Sequence, residues 1–367
     1  MASSLRSCDC LGSGENITIG LYTRGGRTML TELNPDKASG NVTRRLNAAG
    51  DASFTFTLEA DGFDVCCDEF ENLYQWATEV IVSWDGEIIY GGPVIEPSFN
   101  YGIVSFQSTD LSAWFEKTPL PGLTSSGTTL ASLFRRYVDF AEAENDLNYQ
   151  AQIVYNNGNT LDREYLTEDY RLISEEIDDL VSAGLDWTFV GRNLLYGDPQ
   201  ISDYVVTLSD DDWVNPPSLV AAGASQATTV IVKAQIESTD VDGNTTSTPI
   251  VGIATDPIYE AAYGKLVRVF DGGDRVKSVA DANLMARNIL ASIKEPIVVE
   301  PGASVLKPSA PVCINELVPG YLVRYETTTA CRQFPYLFRI SEVNISVNGE
   351  VSLVLVNAGL LDNGQLT

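Results

Sequence analysis

The residues best equipped for chemistry in this chain are carboxylates. The run Ser209-Asp210-Asp211-Asp212-Trp213 puts three of them beside an indole. A glycosidase needs such groups: two opposed carboxyls and, commonly, an aromatic platform. Neighbouring residues of a strand point to opposite faces, so this run alone does not supply the opposed pair; it reads as a polar loop. A second stretch, Asp240-Val241-Asp242-Gly243-Asn244, resembles a fragment of a calcium loop. The full loop needs Gly at its sixth position and Glu at its twelfth. Here Gly243 comes too early, and Pro249, Ile250 and Val251 stand where the Glu belongs. Asp240, Asp242 and Asn244 are therefore weak metal candidates within what reads as a hairpin turn.

Cysteines offer another possibility. Cys8, Cys10, Cys66 and Cys67 would give zinc four thiolates, but C-x-C and C-C depart from the C-x(2–4)-C spacing of such sites. Cys313 and Cys331 complete a set of six in 367 residues, too few for a disulfide scaffold. They read as buried or free thiols. Histidine is absent, which removes Ser-His-Asp and Cys-His nucleophiles and every His-bearing zinc site. The glycine-rich stretches 270–275 and 12–14 lack both G-x-G-x-x-G and the Walker lysine, so no nucleotide loop is expected. The arginine pairs Arg44-Arg45 and Arg135-Arg136 read as surface salt-bridge partners. No cofactor is implied, and elimination favours a binding or assembly protein over an enzyme.

Bulk composition points the same way. Lys and Arg number 23 against 50 Asp and Glu, a net charge of −27. Nucleic acid needs cations to neutralise its phosphates, and anionic membranes attract basic segments; neither suits this chain as a binding partner. Apolar residues make up 44% of it, enough for more than one core. No signal-peptide h-region and no apolar run of membrane-spanning length is visible. A soluble protein made in a cytosol, without membrane insertion, is expected.

The elements that must position these residues follow a clear order. The first 110 residues read as strands. In "WATEVIVSWDGEIIYGGPVIEPSF" (residues 76–99), Val80, Val82 and Trp84 share one face. Asp85-Gly86 is a turn that matches strand twist, and Ile88 and Tyr90 resume the alternation. Gly91-Gly92-Pro93 is expected to break the ladder. Helices follow. Asp110 caps a short one. Leu130, Leu133, Phe134, Tyr137, Val138 and Ala141 form one stripe of a longer one. A third runs from Thr167 to Gly184, and a hairpin about Gly191-Arg192 closes this α+β segment. Strands resume near residue 204. They are interrupted by a helix opened by Ser278, with Leu284, Met285, Ile289 and Ile293 on its apolar side, and ended by Pro296. Asn348-Gly349 turns the last hairpin. The fold class is mainly β with an α+β insertion, multidomain and partly discontinuous.

This order of motifs resembles a known family. "VTRRLNAAGDASFTF", a cysteine, the 76–99 stretch and "DLSAWF" are similar to the N-terminal part of minor tail proteins of long-tailed actinobacterial phages. "YGKLVRVF", "SVADANLMARNILASIKEP" and "VLKPSAPVCINELVPGYLVRYE" resemble the C-terminal half of tail hub proteins; together the resemblance covers most of residues 40–358. The sequence departs from the pattern at Cys66-Cys67, where one cysteine is usual, and at Tyr90, where Trp is common.

The resemblance implies the architecture of the contractile-tail baseplate hub: two tube-like β-barrel domains with an α+β domain inserted. Here these would be 1–112, then 113–203 plus 254–296, then 204–253 plus 297–358, with 359–367 as a tail. It implies a homotrimer at the virion's tail tip, assembled in the host cytoplasm, whose six barrels mimic a hexameric tube ring. Implied partners are a distal tail protein or tail-tube ring, a tape-measure protein and other minor tail proteins, with DNA passing through unbound. The charge of −27 fits an acidic lumen. Two other classes stand against this reading. One is a tail-associated, carboxylate-based cell-wall hydrolase. The other is a carbohydrate-binding tip protein with Trp187 or Trp213 as sugar platforms, Trp84 and Trp114 being core.

Overall fold

The structure, a computed structural model, describes residues 11, 17–57, 70–100, 102–156, 158–197, 205–221, 223–239, 245–273, 276, 278–294, 297–299, 303–327 and 336–361. Asp240, Asp242, Asn244 and every cysteine but Cys313 lie outside these residues.

Alternating apolar residues form the first seven strands: β1 (Ile17–Thr23), β2 (Met29–Leu33), β3 (Ala38–Arg45), β4 (Asp51–Thr57), β5 (Thr78–Trp84), β6 (Glu87–Asn100) and β7 (Ile103–Thr109). Asp85 and Gly86 both take positive φ at the β5–β6 turn, the geometry that follows right-handed strand twist. The ladder with β5 ends at Gly91-Gly92-Pro93 as expected, but the strand does not. β6 runs on for 14 residues, pairing with β5 up to Pro93 and with β7 from Val94. The glycines serve the change of partner. A Cβ on Gly92 would lie 2.0 Å from the Thr109 carbonyl oxygen, and such close backbone approach is where a strand needs glycine.

The α+β segment contains β8 (Leu123–Thr129), α1 (Leu130–Asn145), β9 (Gln150–Tyr155), β10 (Thr160–Tyr165), α2 (Ile173–Ser182), β11 (Asp186–Val190) and β12 (Asn193–Gly197). The Leu130-to-Ala141 stripe is wholly buried, in a core shared with Ile173, Ile177, Leu180, Trp187 and Phe189. α2 starts later than expected. Thr167–Asp169 is a separate 3-10 turn ended by Tyr170 at φ +48°. The helix then begins at Ile173, where the Glu175 carboxylate accepts the Leu172 N–H at 3.1 Å. That bond satisfies one of the orphan donors of a helix start.

The remaining strands are β13 (Val205–Ser209), β14 (Leu219–Ala221), β15 (Thr229–Thr239), β16 (Thr245–Thr255), β17 (Val267–Asp271), β18 (Ile297–Val299), β19 (Ser304–Val305), β20 (Leu322–Glu326), β21 (Tyr336–Ser346) and β22 (Val351–Leu361). Between them lie α3 (Pro257–Tyr263) and α4 (Val279–Ile293). β16, β15 and β17 form a sheet of their own. Val230, Val232, Ala234, Ile250 and Ala254 bury one side of it with Ala282, Ala286 and Leu290 of α4. Leu284 of the same helix joins the α+β core, so α4 ties two packing units together.

Among the described residues the two β regions do not close into separate barrels. Strands from both enter one twelve-stranded sheet, in the order β13-β20-β21-β3-β4-β7-β6-β5-β1-β2, with β22 and β19 branching from β21. The join is β3, which pairs with β4 on one side and with β21 on the other. One apolar core runs beneath both halves, from Ile19 and Phe54 to Phe338 and Leu355. A strand bonded on both sides has no edge left to close a barrel within its own region. No closed barrel is present among the described residues.

Candidate assembly surface

The chemically promising residues turn out to be structural. Ser209 opens a 3-10 turn over Asp210–Asp212, and the Asp212 carboxylate accepts the Ser209 N–H at 2.6 Å and its hydroxyl at 2.8 Å. Asp210 accepts hydrogen bonds from the Tyr325 and Thr327 hydroxyls, and Lys307 Nζ reaches the Asp211 carbonyl. Trp213 and Trp187 are 1% and 6% exposed, so neither presents a face to a sugar. Trp84 and Trp114 are core, as expected. Cys313 is disulfide-bonded rather than a free thiol. Among the described residues no group of three His, Cys, Asp or Glu is arranged to hold a metal. No helix among them is long and apolar enough to cross a membrane.

The arginine pairs split. Arg45 bridges Asp51 and Glu342, and Arg135 pairs with Asp139 one helical turn away. Arg44 corrects the surface reading: it is 2% exposed. It donates to the carbonyls of Ile314 and Leu317 at 3.3 and 2.8 Å. Burial without a carboxylate lowers its pKa to about 10.

The densest polar cluster escaped sequence reasoning. Glu176 is fully buried on α2; Arg171 donates to it at 2.5 Å and Arg163 lies 3.7 Å away. Beside them the Tyr165 hydroxyl donates to Tyr137 at 2.7 Å. A cleft of about 390 Å³ opens here, lined by Asp162, Glu164, Asp169 and Asp179 as well as the arginines. Burial raises Tyr137 to about 12 and Tyr165 higher still. Both phenols therefore stay protonated at neutral pH, and the Glu176 carboxylate is engaged by two guanidinium groups. The cluster fastens α2 to β10.

A second buried acid holds the α+β segment to the first strands. Glu79 on β5 accepts the Gly25 N–H at 2.8 Å and a hydrogen bond from Arg192 in the β11–β12 turn. Arg192 also donates to the carbonyls of Asn148 and Leu147. Asp186 of β11 accepts from Asn47 at 2.6 Å and pairs with Arg339 at 2.9 Å.

What remains open to a partner is surface. One face of the large sheet buries Val42, Ala52, Phe54, Val104 and Phe106. Its other face carries hydroxyls and amides in cross-strand rows. Asn41, Ser53, Gln107 and Glu96 stand opposite one another across β3, β4, β7 and β6; Ser39, Thr55, Ser105 and Ser98 form the next row. Ser352, Asn344, Thr43 and Asp51 continue the pattern through β22 and β21, although Thr43 itself is buried. Many of these groups bond to each other. Ser53 donates to Asn41 at 3.1 Å, Asn41 to Thr43 at 3.3 Å, Thr43 to Asn344 at 2.8 Å and Asn344 to Glu342 at 2.8 Å. A depression of about 340 Å³ lies on this face over Ser53, Thr55, Ser98, Ser105 and Gln107.

Two further features suit contact with other chains. At one end of the sheet β2 has no further neighbour among the described residues, and Met29 and Leu30 on it are exposed; at the other, the chain after β13 bridges Trp213 to Leu306 beside β19. An unpaired strand edge is a template for another chain. The small sheet leaves Val251, Ile253, Val267 and Val269 exposed opposite its α4 side, with Ile253, Ile231 and Val269 in register.

Comparison with known proteins gives the fold a context. No protein-family model matches the sequence, and no curated protein matches it. Solved structures do. The chain is similar to the 43 kDa tail protein of prophage MuSo2 from Shewanella oneidensis, at 15% identity and a TM-score of 0.61, covering 92% of this chain and 98% of that one. It is similar to a tail protein from Neisseria meningitidis, at 13% identity and a TM-score of 0.60, covering 95% and 99%. A prophage tail protein from Listeria monocytogenes aligns at 13% identity and a TM-score of 0.57, covering 93% and 94%. The chain thus shares the fold of phage tail proteins along nearly its whole length.

Proposed function

We propose that this chain is a structural component of a phage-type tail tip: a hub that ends the tail tube, assembles as a homotrimer and forms part of the conduit for DNA. The observation that carries this reading is the twelve-stranded sheet, in which two β regions of one chain lie side by side, joined through β3 and β21. Three such chains joined head to tail would present six β regions around an axis, an adaptor between threefold and sixfold symmetry. Head-to-tail contacts close into rings when the rotation allows.

In this reading residues 1–112 and 204–253 plus 297–358 supply tube-like domains whose closure comes from neighbouring subunits. Residues 113–203 plus 254–296 form the inserted α+β domain. The tail tube or distal tail protein, the tape-measure protein and other tip proteins are the partners, and the virion tail is the location. The hydrolase alternative has lost its carboxylate run to a turn, and the carbohydrate alternative has lost both indoles to the core.

Negative-stain microscopy of the purified protein tests the proposal. Threefold particles with a central opening are expected, together with no release of soluble fragments from peptidoglycan. Single-chain particles that degrade peptidoglycan would refute it.

A further inference from the structure

We infer that the open edge of β9 takes an added strand: an extended, uncharged, apolar segment of a second tail protein. The inference rests on the tail-tip reading for the presence of that second protein, and on the α+β segment for the place where it binds.

β9 is the outer strand of a three-stranded sheet, β11-β12-β9. It pairs in parallel with β12 and has no strand on its other side among the described residues. The Gln150 N–H donates to the Arg192 carbonyl, on the β12 side. Backbone groups of a strand alternate in direction, so those of Ala151 and Ile153 aim at the open edge. Arg135 of α1 covers the first of them, donating to the Ala151 carbonyl at 3.0 Å. Beyond it, Ile153, Val154 and Tyr155 are exposed in succession, at 45%, 48% and 47%. A strand with one face in a core is exposed at every second residue, so apolar side chains here stand open on both sides of the edge. Nor is the edge guarded. Soluble proteins protect such edges with charge or proline: β2 carries Glu32, β16 Pro249 and β17 Asp271. β9, Gln-Ala-Gln-Ile-Val-Tyr, has neither, in a chain of which 20% is charged.

A cleft begins at the end of this strand. Val154, Tyr155, Leu195, Val318 and Tyr321 line it, and its volume of about 50 Å³ has room for one aliphatic side chain. Trp187 and Arg339 line it too, and neither the indole N–H nor the guanidinium Nε–H has an acceptor. Buried donors without acceptors are costly, and a main-chain carbonyl of the added strand supplies one. A carboxylate is the wrong acceptor, because Asp186 already stands against Arg339 at 2.9 Å. The occupant is thus apolar and uncharged. A second copy of this chain is a poorer match, since the open edge it would bring, β2, carries Glu32.

A photo-crosslinking benzophenone residue in place of Tyr155, in the full chain within assembled tails, tests the inference. The expected adduct is with a different tail protein, through a peptide that mass spectrometry reads as an apolar run free of Asp, Glu, Lys and Arg. An adduct with a second copy, an adduct through a charged run, or no adduct overturns it. Adding Ile153→Lys gives a second readout. The melting temperature is expected to stay unchanged, because the residue is exposed, while the cross-link is lost. Ile153→Thr, uncharged and suited to a strand, is expected to keep it. An Ile153→Lys chain that cross-links in full would overturn the inference. So would one whose oligomer falls to a monomer, since the edge would then be a contact between copies. The hub reading is tested separately: it falls with a monomeric wild type, whatever the cross-link shows.

Discussion

At the scale of single residues, the buried acids organise the molecule. Glu79 is fully buried against Arg192, and removing one partner strands a charge without water. Glu79→Ala is expected to lower unfolding free energy by about 3–5 kcal/mol, read from the denaturant midpoint. Asp110 behaves differently. Its carboxylate accepts from the Gly50 N–H at 2.6 Å and from the Ser112 N–H and hydroxyl. Burial nevertheless outweighs these bonds and the nearby Arg45, and raises its pKa from 3.8 to about 6. A carboxyl whose folded pKa lies above its unfolded value binds its proton more tightly in the native state. Its contribution to stability therefore grows as pH falls from 7 through 6 towards 4. The stability difference between wild type and Asp110→Asn is expected to shift by about 2 kcal/mol in favour of wild type between pH 7 and about pH 4.5. Paired urea titrations measure it, and a difference independent of pH would contradict the assigned protonation. Asp110 was legible as a cap, but the burial of neither acid was, because burial of a charge depends on which distant strand covers it. Arg44 shows the same gap: nothing in Arg44-Arg45 tells which of the two turns inward to the Ile314 and Leu317 carbonyls.

At the scale of elements, local pattern carried far. The α1 stripe, the Asp110 and Ser278 caps and the Asp85-Gly86 turn stand where periodicity and turn chemistry put them. At the β6 corner the ladder with β5 ends as expected, but the strand runs on to β7, and Gly92 is needed for its close approach to Thr109. Two substitutions separate the two uses of glycine. Gly86→Ala meets open space and suffers only from its positive φ, so a loss of about 1 kcal/mol is expected. Gly92→Ala drives a Cβ into backbone and is expected to cost about 3 kcal/mol, the upper end of overpacking losses. Thermal or chemical melts of both variants check the ranking, and equal losses would refute the corner. The start of α2 was also missed. The acidic first turn at Thr167 is real, but Tyr170 in the left-handed region ends it, and such a local reversal leaves little trace in hydrophobic periodicity.

At the scale of the whole molecule, the decisive feature is the pairing of β3 with β21, which brings together residues some 300 positions apart, as at Thr43 and Asn344. Strand count and turn signals reveal two β regions. They do not reveal whether each closes on itself or both fuse, since long-range pairing is set by the fit of whole faces. Fusion turns two expected barrels into one sheet that takes strands from both regions. The candidate surface was the least legible part. Ser, Thr, Asn and Gln scattered over β3, β4, β7, β21 and β22 become one polar face only when the register is known. The measurement that tests the account most directly is native mass of the purified chain across a wide concentration range. Three chains per particle, persisting on dilution, is the predicted result; a monomer at every concentration would contradict it.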